Sequence, residues 1–282
     1  MTIKTVGIIG SGIMGSGIAQ VAATSGYGVV LRSRKQESAD ATVAAMQKSL
    51  EKLVAKERME EADANAAVER VTATSSLSDL ADCELVIESI VEDLDTKLGL
   101  FDELDKVCKD GAIIATNTST LPVTEMAVKT ARPQNVCGVH FFNPAPMMKL
   151  VEIVQTLVTS EDTIDEVREF AETCGKSPVL VEDRAGFIVN HLLFPYLNNA
   201  VRMMENGTAS RDDIDAAMKG GANFPMGPFA LLDLVGLDTS LSILDALYDE
   251  FRDPNYSPAP LLRRMVTAGK LGRKSGGGFY DY

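Results

Sequence analysis

The sequence predicts an α/β fold with a doubly wound sheet, followed by an all-α C-terminal domain. A glycine-rich turn stands between an apolar strand-like run and a helix-like segment near the beginning of the chain. Strand-like and helix-like segments then alternate as far as residue 181, which is typical of a doubly wound sheet. Beyond residue 183 the strand-like runs cease and helical patterns remain. We therefore predict two domains, residues 1–183 and residues 184–282.

The glycine-rich turn follows a strand-like run at Thr5–Ile9 and has the spacing G-x-G-x-x-G. Its first glycine permits a tight turn, its second lets a diphosphate approach the backbone, and its third allows the helix to pack closely on the strand. The helix N-terminus that follows presents unpaired N–H groups to the phosphates. An ordinary glycine-rich turn is the alternative, but this context favours a Rossmann-type dinucleotide site. The residues expected to contact the cofactor here are Gly10, Gly12, Ile13, Met14 and Gly15.

A second strand-like run, residues 28–31, completes a βαβ unit. After this strand an NAD site usually has an acidic residue that binds the ribose 2′-hydroxyl. Here Ser33 and Arg34 stand instead, and the first carboxylate is Glu37. A serine hydroxyl and a guanidinium can both bind a 2′-phosphate, which a carboxylate would repel. The stretch therefore favours NADP over NAD; a solvated turn, with NAD bound at reduced affinity, is the alternative.

The remaining pattern assigns the other elements. Five further strands are predicted at residues 85–90, 112–116, 136–140, 150–154 and 178–181, with helices between them at 96–107, 123–130 and 163–174. Five more helices are predicted in the second domain, at residues 189–204, 211–219, 229–235, 240–251 and 260–268. Residues 39–67 read as one long amphipathic helical region with a basic side that includes Ser49 and Lys56. That side could bind an anionic substrate, although interleaved glutamates make a solvated face the simpler interpretation.

Composition excludes several classes of function. The formal net charge is −13, which argues against nucleic acid or an anionic membrane as a partner. The four cysteines have neither metal-ligand nor redox spacing, and no leader or membrane span is evident, so we expect a cytoplasmic protein without a metal. A helical domain rich in Leu, Met and Phe often buries one face against a second copy, so we expect a homodimer.

A histidine and a glutamate form the candidate catalytic pair. His140 is one of only two histidines and ends a predicted core strand, where an open α/β sheet presents residues to its ligands. Glu152 lies inside the apolar run LVEIV, where a carboxylate is costly to bury unless it is paired. An imidazole N–H would satisfy it, fix the histidine tautomer and leave the other ring nitrogen for proton exchange with a substrate hydroxyl. The alternatives are a satisfied core histidine and a glutamate on the exposed face of an edge strand.

Three further polar residues are candidates for the same site. Asn117 and Ser119 follow a predicted buried strand and could line the nicotinamide end of the cleft, although a capping turn before the next helix is the simpler interpretation. Asn190 stands early in the first helix of the second domain and could face the cleft. We assign no role to His191, the other histidine.

Taken together, these stretches resemble the 3-hydroxyacyl-CoA dehydrogenase family, most closely its short stand-alone members, over essentially the whole chain. The resemblance is carried by GSGIMGSGIAQ from Gly10, NTSTL from Asn117, HFFNPAPMMKLVEIV from His140, GFIVNHLL from Gly186, PMGPFALLDLVGLDT from Pro225 and GRKSGGGFYDY from Gly272. It implies that His140 is the catalytic acid/base, that Glu152 orients it, and that Ser119 and Asn190 contact the reacting oxygens. It also implies cofactor contacts at Glu92, Lys97, Asn143 and Lys274, and coenzyme A contacts at Ser49 and Lys56.

The chain departs from the family pattern at two positions. The family commonly has Asp where Ser33 stands, which puts strict NAD use in question, and Arg where His191 stands.

The expected reaction is hydride transfer between a short 3-hydroxyacyl-CoA, such as 3-hydroxybutyryl-CoA, and the nicotinamide, in fatty acid or butanoate metabolism. Two rivals are another two-domain dehydrogenase, for which a catalytic cysteine or lysine would be the sign, and a non-catalytic dinucleotide-binding protein.

Overall fold

The computed structural model describes residues 2–282 and divides into two compact units, Met1–Asp183 and Arg184–Tyr282. Each unit has its own buried apolar core.

The first unit is built on one eight-stranded sheet in the order β3-β2-β1-β4-β5-β6-β7-β8. Its strands are β1 (Thr5–Ile9), β2 (Gly28–Arg32), β3 (Val71–Thr74), β4 (Leu85–Glu88), β5 (Ile113–Thr116), β6 (Val136–Phe141), β7 (Leu150–Gln155) and β8 (Ser177–Glu182). Its helices are α1 (Ile13–Thr24), α2 (Gln36–Val54), α3 (Glu61–Glu69), α4 (Leu94–Val107), α5 (Val123–Ala127) and α6 (Glu161–Thr173). Strands β4, β5 and β6 are buried along their whole length, as expected for central strands covered on both faces. The predicted fold class is thus confirmed.

Three features of this unit differ from the prediction. Strand β3 was not predicted, because a four-residue edge strand of alternating polarity carries little signal. The helical region at 39–67 is two helices, α2 and α3, separated by a turn in which Glu57 adopts a positive φ of 55°. Strand β7 runs antiparallel to β6, since the short segment 142–149 cannot make the long crossover that parallel strands require.

The second unit contains helices only, besides short turns and isolated bridges. They are α7 (Val189–Glu205), α8 (Arg211–Ala222), α9 (Pro228–Val235), α10 (Leu237–Phe251) and α11 (Pro260–Thr267). Two buried aspartates hold it together. The carboxylate of Asp215 accepts hydrogen bonds from the first N–H groups of α9, and that of Asp233 accepts them from Phe279 and Tyr280 near the C-terminus. Buried carboxylates that accept two backbone N–H groups fix both segments in place.

Two properties of the described chain bear on its setting. Within residues 2–282 no helix combines the length and the apolar character needed to cross a membrane. All four cysteines are free thiols in buried positions. Burial raises the pKa of Cys83 and Cys137 to about 12 and that of Cys108 and Cys174 to about 11, so these thiols are poor nucleophiles near neutral pH.

Candidate active site

The glycine-rich turn joins β1 to α1 at the carboxyl end of the sheet. Gly10 has a φ of +122°, and a Cβ there would lie 2.2 Å from the carbonyl oxygen of Ser89. A Cβ on Gly15 would lie 2.0 Å from the carbonyl oxygen of Gly10, so the turn and the helix are too close for a side chain. A Cβ on Gly12, in contrast, would meet no atom within 4 Å. The backbone at Gly12 therefore faces open space, as a diphosphate site requires.

The N-terminus of α1 is suited to an anion. Gly12 is its N-cap residue and supplies no side chain to cap the first N–H groups. Ile13 is 77% exposed and Met14 is half-buried, so both are accessible beside the turn. Unpaired N–H groups and the positive end of the helix dipole then favour a bound phosphate. These residues fit the diphosphate of a dinucleotide.

Replacing Gly12 by Ala tests whether the open space is the diphosphate site. Gly12 has a φ of −73°, which alanine adopts freely, so Gly12→Ala should unfold at the wild-type temperature. We expect the Kd for NADPH, measured by fluorescence titration, to rise by about tenfold or more, equivalent to about 1.4 kcal/mol. Gly15→Ala should raise the Kd and also lower the melting temperature, because its Cβ would strike the backbone. Gly99→Ala on the exposed side of α4 is the control, and equal affinity of Gly12→Ala and Gly99→Ala would contradict the assignment.

The end of β2 lies beside the glycine-rich turn. The hydroxyl oxygens of Ser11 and Ser33 are 2.9 Å apart, and Ser33 is only 8% exposed. Arg34 is exposed, whereas the guanidinium of Arg32 donates to the carbonyl oxygen of Ser75. Two hydroxyl groups and an exposed guanidinium thus stand where an acidic residue would bind the ribose of NAD.

His140 and Glu152 stand directly opposite each other on neighbouring strands. The antiparallel register of β6 and β7 pairs the two residues, and Nδ1 of His140 lies 2.7 Å from Oε2 of Glu152. His140 is 6% exposed and Glu152 is fully buried, since β7 lies between β6 and β8. The structure therefore excludes the interpretation of Glu152 as an exposed residue of an edge strand. The ring of Phe142 packs 4.5 Å from that of His140, measured between centroids, and further restricts the imidazole.

The segment after β5 forms hydrogen bonds with β6 and with the segment that follows β4. Oδ1 of Asn117 accepts a 2.8 Å hydrogen bond from the backbone N–H of Phe141, the residue after His140. The hydroxyl of Thr118 accepts from the N–H of Leu121, which forms the turn that the simpler interpretation anticipated. Ser119 is half-buried and donates its N–H to Oε1 of Glu92 at 2.9 Å. Asn117 and Ser119 thus lie at the same edge of the sheet as His140.

Sequence reasoning missed one charged residue of this edge. Glu88 ends β4, is fully buried, and binds Nζ of Lys97 through both carboxylate oxygens at 2.6 and 2.7 Å. Lys97, on α4, is 1% exposed and also lies 3.3 Å from Glu92. The signal was present in the sequence, because a carboxylate in the apolar run LVIE is as costly to bury unpaired as the one in LVEIV.

The remaining candidates lie in other segments of the chain. Asn143 is exposed in the segment after β6, Ser49 is half-buried on α2, and Lys56 is exposed in the turn that follows α2. In the second unit, Asn190 is 8% exposed near the start of α7, and Nζ of Lys274 forms a 2.6 Å ion pair with Asp238.

His191 has a structural environment of its own within the second unit. Its Nε2 lies 2.9 Å from the hydroxyl of Tyr256, and its ring packs edge-on against Phe251. These contacts account for a histidine at this position without a catalytic role.

Comparison with known proteins identifies the family. Residues 5–184 match the NAD binding domain of 3-hydroxyacyl-CoA dehydrogenase, and residues 186–282 match the C-terminal domain of 3-hydroxyacyl-CoA dehydrogenase. The chain belongs to the 3-hydroxyacyl-CoA dehydrogenase family. The predicted family and the predicted oxidoreductase class are therefore confirmed, and the first unit of this dehydrogenase contains an NAD-binding domain.

Similar proteins match this dehydrogenase from end to end. It is 49% identical to a 3-hydroxybutyryl-CoA dehydrogenase of Clostridioides difficile, over 98% of each chain. It is 48% identical to a 3-hydroxybutyryl-CoA dehydrogenase of Mycobacterium tuberculosis, over 99% of each chain. The crystal structure of (S)-3-hydroxybutyryl-CoA dehydrogenase from Ralstonia eutropha gives a TM-score of 0.97 at 43% identity, covering 100% of this chain and 99% of that one.

Proposed function

We propose that this dehydrogenase interconverts short 3-hydroxyacyl-CoA and 3-oxoacyl-CoA, specifically 3-hydroxybutyryl-CoA and acetoacetyl-CoA, with a nicotinamide cofactor. The observation that carries the proposal is the buried pair of His140 and Glu152, 2.7 Å apart, on the sheet that also holds the glycine-rich turn. The full-length similarity to proteins named 3-hydroxybutyryl-CoA dehydrogenase supports this substrate. The reaction belongs to fatty acid or butanoate metabolism.

The His140–Glu152 pair provides the acid/base chemistry. The carboxylate of Glu152 accepts from Nδ1–H, so it favours the tautomer with the lone pair on Nε2. In the oxidation, the C3–H bond of the substrate breaks and its hydride leaves with the electron pair, while the O–H proton passes to Nε2 and the C3=O bond forms. Glu152 stabilises the imidazolium that results. A bound nicotinamide supplies the hydride acceptor.

Other residues are proposed to position the reactants. Ser119 and Asn190 would hold the reacting oxygens, a positioning effect worth several kcal/mol. Coenzyme A would contact Ser49 and Lys56. The cofactor contacts that we propose are Gly10, Gly12, Ile13, Met14, Gly15, Ser33, Arg34, Glu92, Lys97, Asn117, Ser119, Asn143 and Lys274.

We further propose that the cofactor is NADP in preference to NAD. The hydroxyls of Ser11 and Ser33, 2.9 Å apart, together with the exposed Arg34, support a 2′-phosphate at the end of β2. No carboxylate follows β2 before Glu37, so no negative charge of that segment opposes the phosphate.

The compartment and the oligomeric state of the dehydrogenase are also proposed. Four buried, unpaired cysteines support a reducing compartment such as the cytoplasm. Exposed apolar side chains on the second unit, among them Leu192 at 68% and Leu234 at 49%, support its assembly with a second copy as a homodimer.

One assay tests the function and separates the alternatives. We expect purified protein, mixed with acetoacetyl-CoA and NADPH or NADH, to consume the reduced nicotinamide, as followed by its absorbance. A series of longer 3-oxoacyl-CoA substrates then gives the chain-length preference. Binding of NADPH without any oxidation by acyl-CoA substrates would favour a non-catalytic dinucleotide-binding protein. Oxidation by another class of carbonyl compound alone would favour a different two-domain dehydrogenase.

A further inference from the structure

A chain of charged side chains connects the centre of the sheet to Ser119. It begins at Glu88, whose carboxylate is fully buried at the end of β4. That carboxylate accepts four hydrogen bonds, from the N–H of Ile90 at 2.6 Å, the hydroxyl of Thr116 at 2.7 Å, and Nζ of Lys97 at 2.6 and 2.7 Å. Both oxygens of the Glu88 carboxylate thus accept hydrogen bonds from the protein, which hold this carboxylate in one orientation.

Lys97 connects Glu88 to Glu92 through a second ion pair. An ammonium group has three N–H donors, and three carboxylate oxygens lie within 3.3 Å of Nζ: two from Glu88 and Oε2 of Glu92. Because Lys97 is only 1% exposed, its charge acts at the protein surface mainly through Glu92, which is 38% exposed. The lysine therefore fixes one oxygen of the Glu92 carboxylate.

The other oxygen of Glu92 fixes Ser119. Oε1 accepts the hydroxyl of Thr118 at 2.5 Å and the N–H of Ser119 at 2.9 Å. The hydroxyl of Ser119 lies 3.4 Å from the same oxygen, a long contact that leaves this group able to reorient toward a substrate oxygen. The backbone of Ser119 is thus held while its hydroxyl keeps rotational freedom.

Stability alone does not explain why these charges are buried. Removing two ions from water is costly, and an apolar pair of similar volume is often equally or more stable. Glu88 also lies between Ile9 of β1 and Thr116 of β5 in the register, so it sits where the glycine-rich turn and the segment containing Ser119 both begin. A fixed charge at this junction sets the position of both segments.

We propose that Glu88 and Lys97 are positioning residues of the dehydrogenase reaction, which act through Glu92 to hold Ser119. The inference rests on the proposed function, because it assumes that Ser119 contacts the reacting oxygen. A misplacement of about 1 Å can lower the rate by about 10²-fold, so the loss of this pair should be measurable.

The test is a double-mutant cycle on kcat/KM for acetoacetyl-CoA, with wild-type and Ser119→Ala backgrounds. Glu88→Gln with Lys97→Met removes both charges and retains hydrogen-bonding groups for Ile90 and Thr116. We expect this double substitution to lower kcat/KM by about 10- to 100-fold in the wild-type background. In the Ser119→Ala background it should lower kcat/KM by less than about threefold. Amide exchange of residues 117–121 should become faster.

A matched pair at the opposite end of β4 serves as the control. Glu84 and Lys109 also form an ion pair, but Glu84 immediately precedes β4 and binds the backbone N–H of Thr5. Glu84→Gln with Lys109→Met should change kcat/KM equally in both backgrounds and leave the exchange of residues 117–121 unchanged. Should the first double variant fail to fold, Thr116→Val removes the hydroxyl that donates to Glu88 and accepts the N–H of Thr118. It should show the same dependence on Ser119 with a smaller loss.

The outcomes are distinct. Equal losses in the two backgrounds, no loss in the wild type, or a Ser119→Ala variant with full activity would each overturn the positioning role. A wild-type protein that does not reduce acetoacetyl-CoA would refute the proposed function instead. In that case the exchange measurement still decides whether Glu88 and Lys97 order the segment around Ser119, because that readout needs no catalysis.

Discussion

Replacing His140 by Gln should lower kcat for acetoacetyl-CoA reduction by about 10²- to 10⁴-fold, the range typical of a lost general acid/base. Glutamine can still hydrogen-bond Glu152, but it cannot exchange a proton near neutral pH. His140 is buried against Glu152 and Phe142, so the variant keeps a polar partner for the buried carboxylate. The Kd for NADPH should remain close to that of the wild type, because the glycine-rich turn is unaffected.

The chain offers a matched control for this experiment. His191→Gln is the same substitution at the only other histidine, which contacts Tyr256 and Phe251 in the second unit. We expect it to change kcat by less than about threefold, since substitutions away from reacting groups have small effects. Melting temperatures of both variants distinguish lost chemistry from lost structure. Near-normal turnover of the folded His140→Gln protein would eliminate His140 as the acid/base.

Replacing Ser33 by Asp should move the cofactor preference from NADP toward NAD. The carboxylate would stand beside the hydroxyl of Ser11, where we place the 2′-phosphate, and like charges brought together in this way cost several kcal/mol. We expect the ratio of kcat/KM for NADPH to that for NADH to fall by about 100-fold, equivalent to about 2.8 kcal/mol. Part of the change should be a gain with NADH, because the carboxylate can accept a hydrogen bond from its 2′-hydroxyl.

Ser33→Ala separates the effect of losing the hydroxyl from the effect of adding a negative charge. It removes the hydroxyl without adding charge, so kcat/KM for NADPH should fall by up to about tenfold while that for NADH stays the same. Steady-state kinetics with each cofactor at fixed acetoacetyl-CoA supply both ratios. A wild-type enzyme that prefers NADH, or an unchanged ratio in Ser33→Asp, would contradict the placement of the 2′-phosphate.

Local patterns account for what could be predicted of the site. Glu152 stands in the run LVEIV, and the cost of burying an unpaired carboxylate was enough to suggest His140 as its partner. The same reasoning applied to Glu88 in LVIE would have suggested a partner for it as well. Lys97, nine residues later on α4, could not be chosen among the many lysines, because only the packing of α4 brings it to Glu88.

Some features depend on contacts that local sequence does not contain. The edge strand β3 is held by pairing with β2, and nothing in its four residues distinguishes it from a loop. The break between α2 and α3 requires Glu57 at a positive φ, which few residues other than glycine adopt. Asn117 binds the N–H of Phe141 on the neighbouring strand, a contact created by the sheet alone.

Glycine spacing and the periodicity of apolar residues are local properties of the chain, so they were enough to predict the fold class and a dinucleotide-binding domain. The family was predicted from the resemblance of motifs that are spread along the chain. Tertiary packing sets the antiparallel direction of β7, the register that places Glu152 opposite His140, and the hydrogen-bonded chain from Glu88 through Lys97 and Glu92 to Ser119. These depend on which strands and helices become neighbours. The neighbours are determined by how the whole sheet is buried, and segments that are distant in sequence contribute to that burial together.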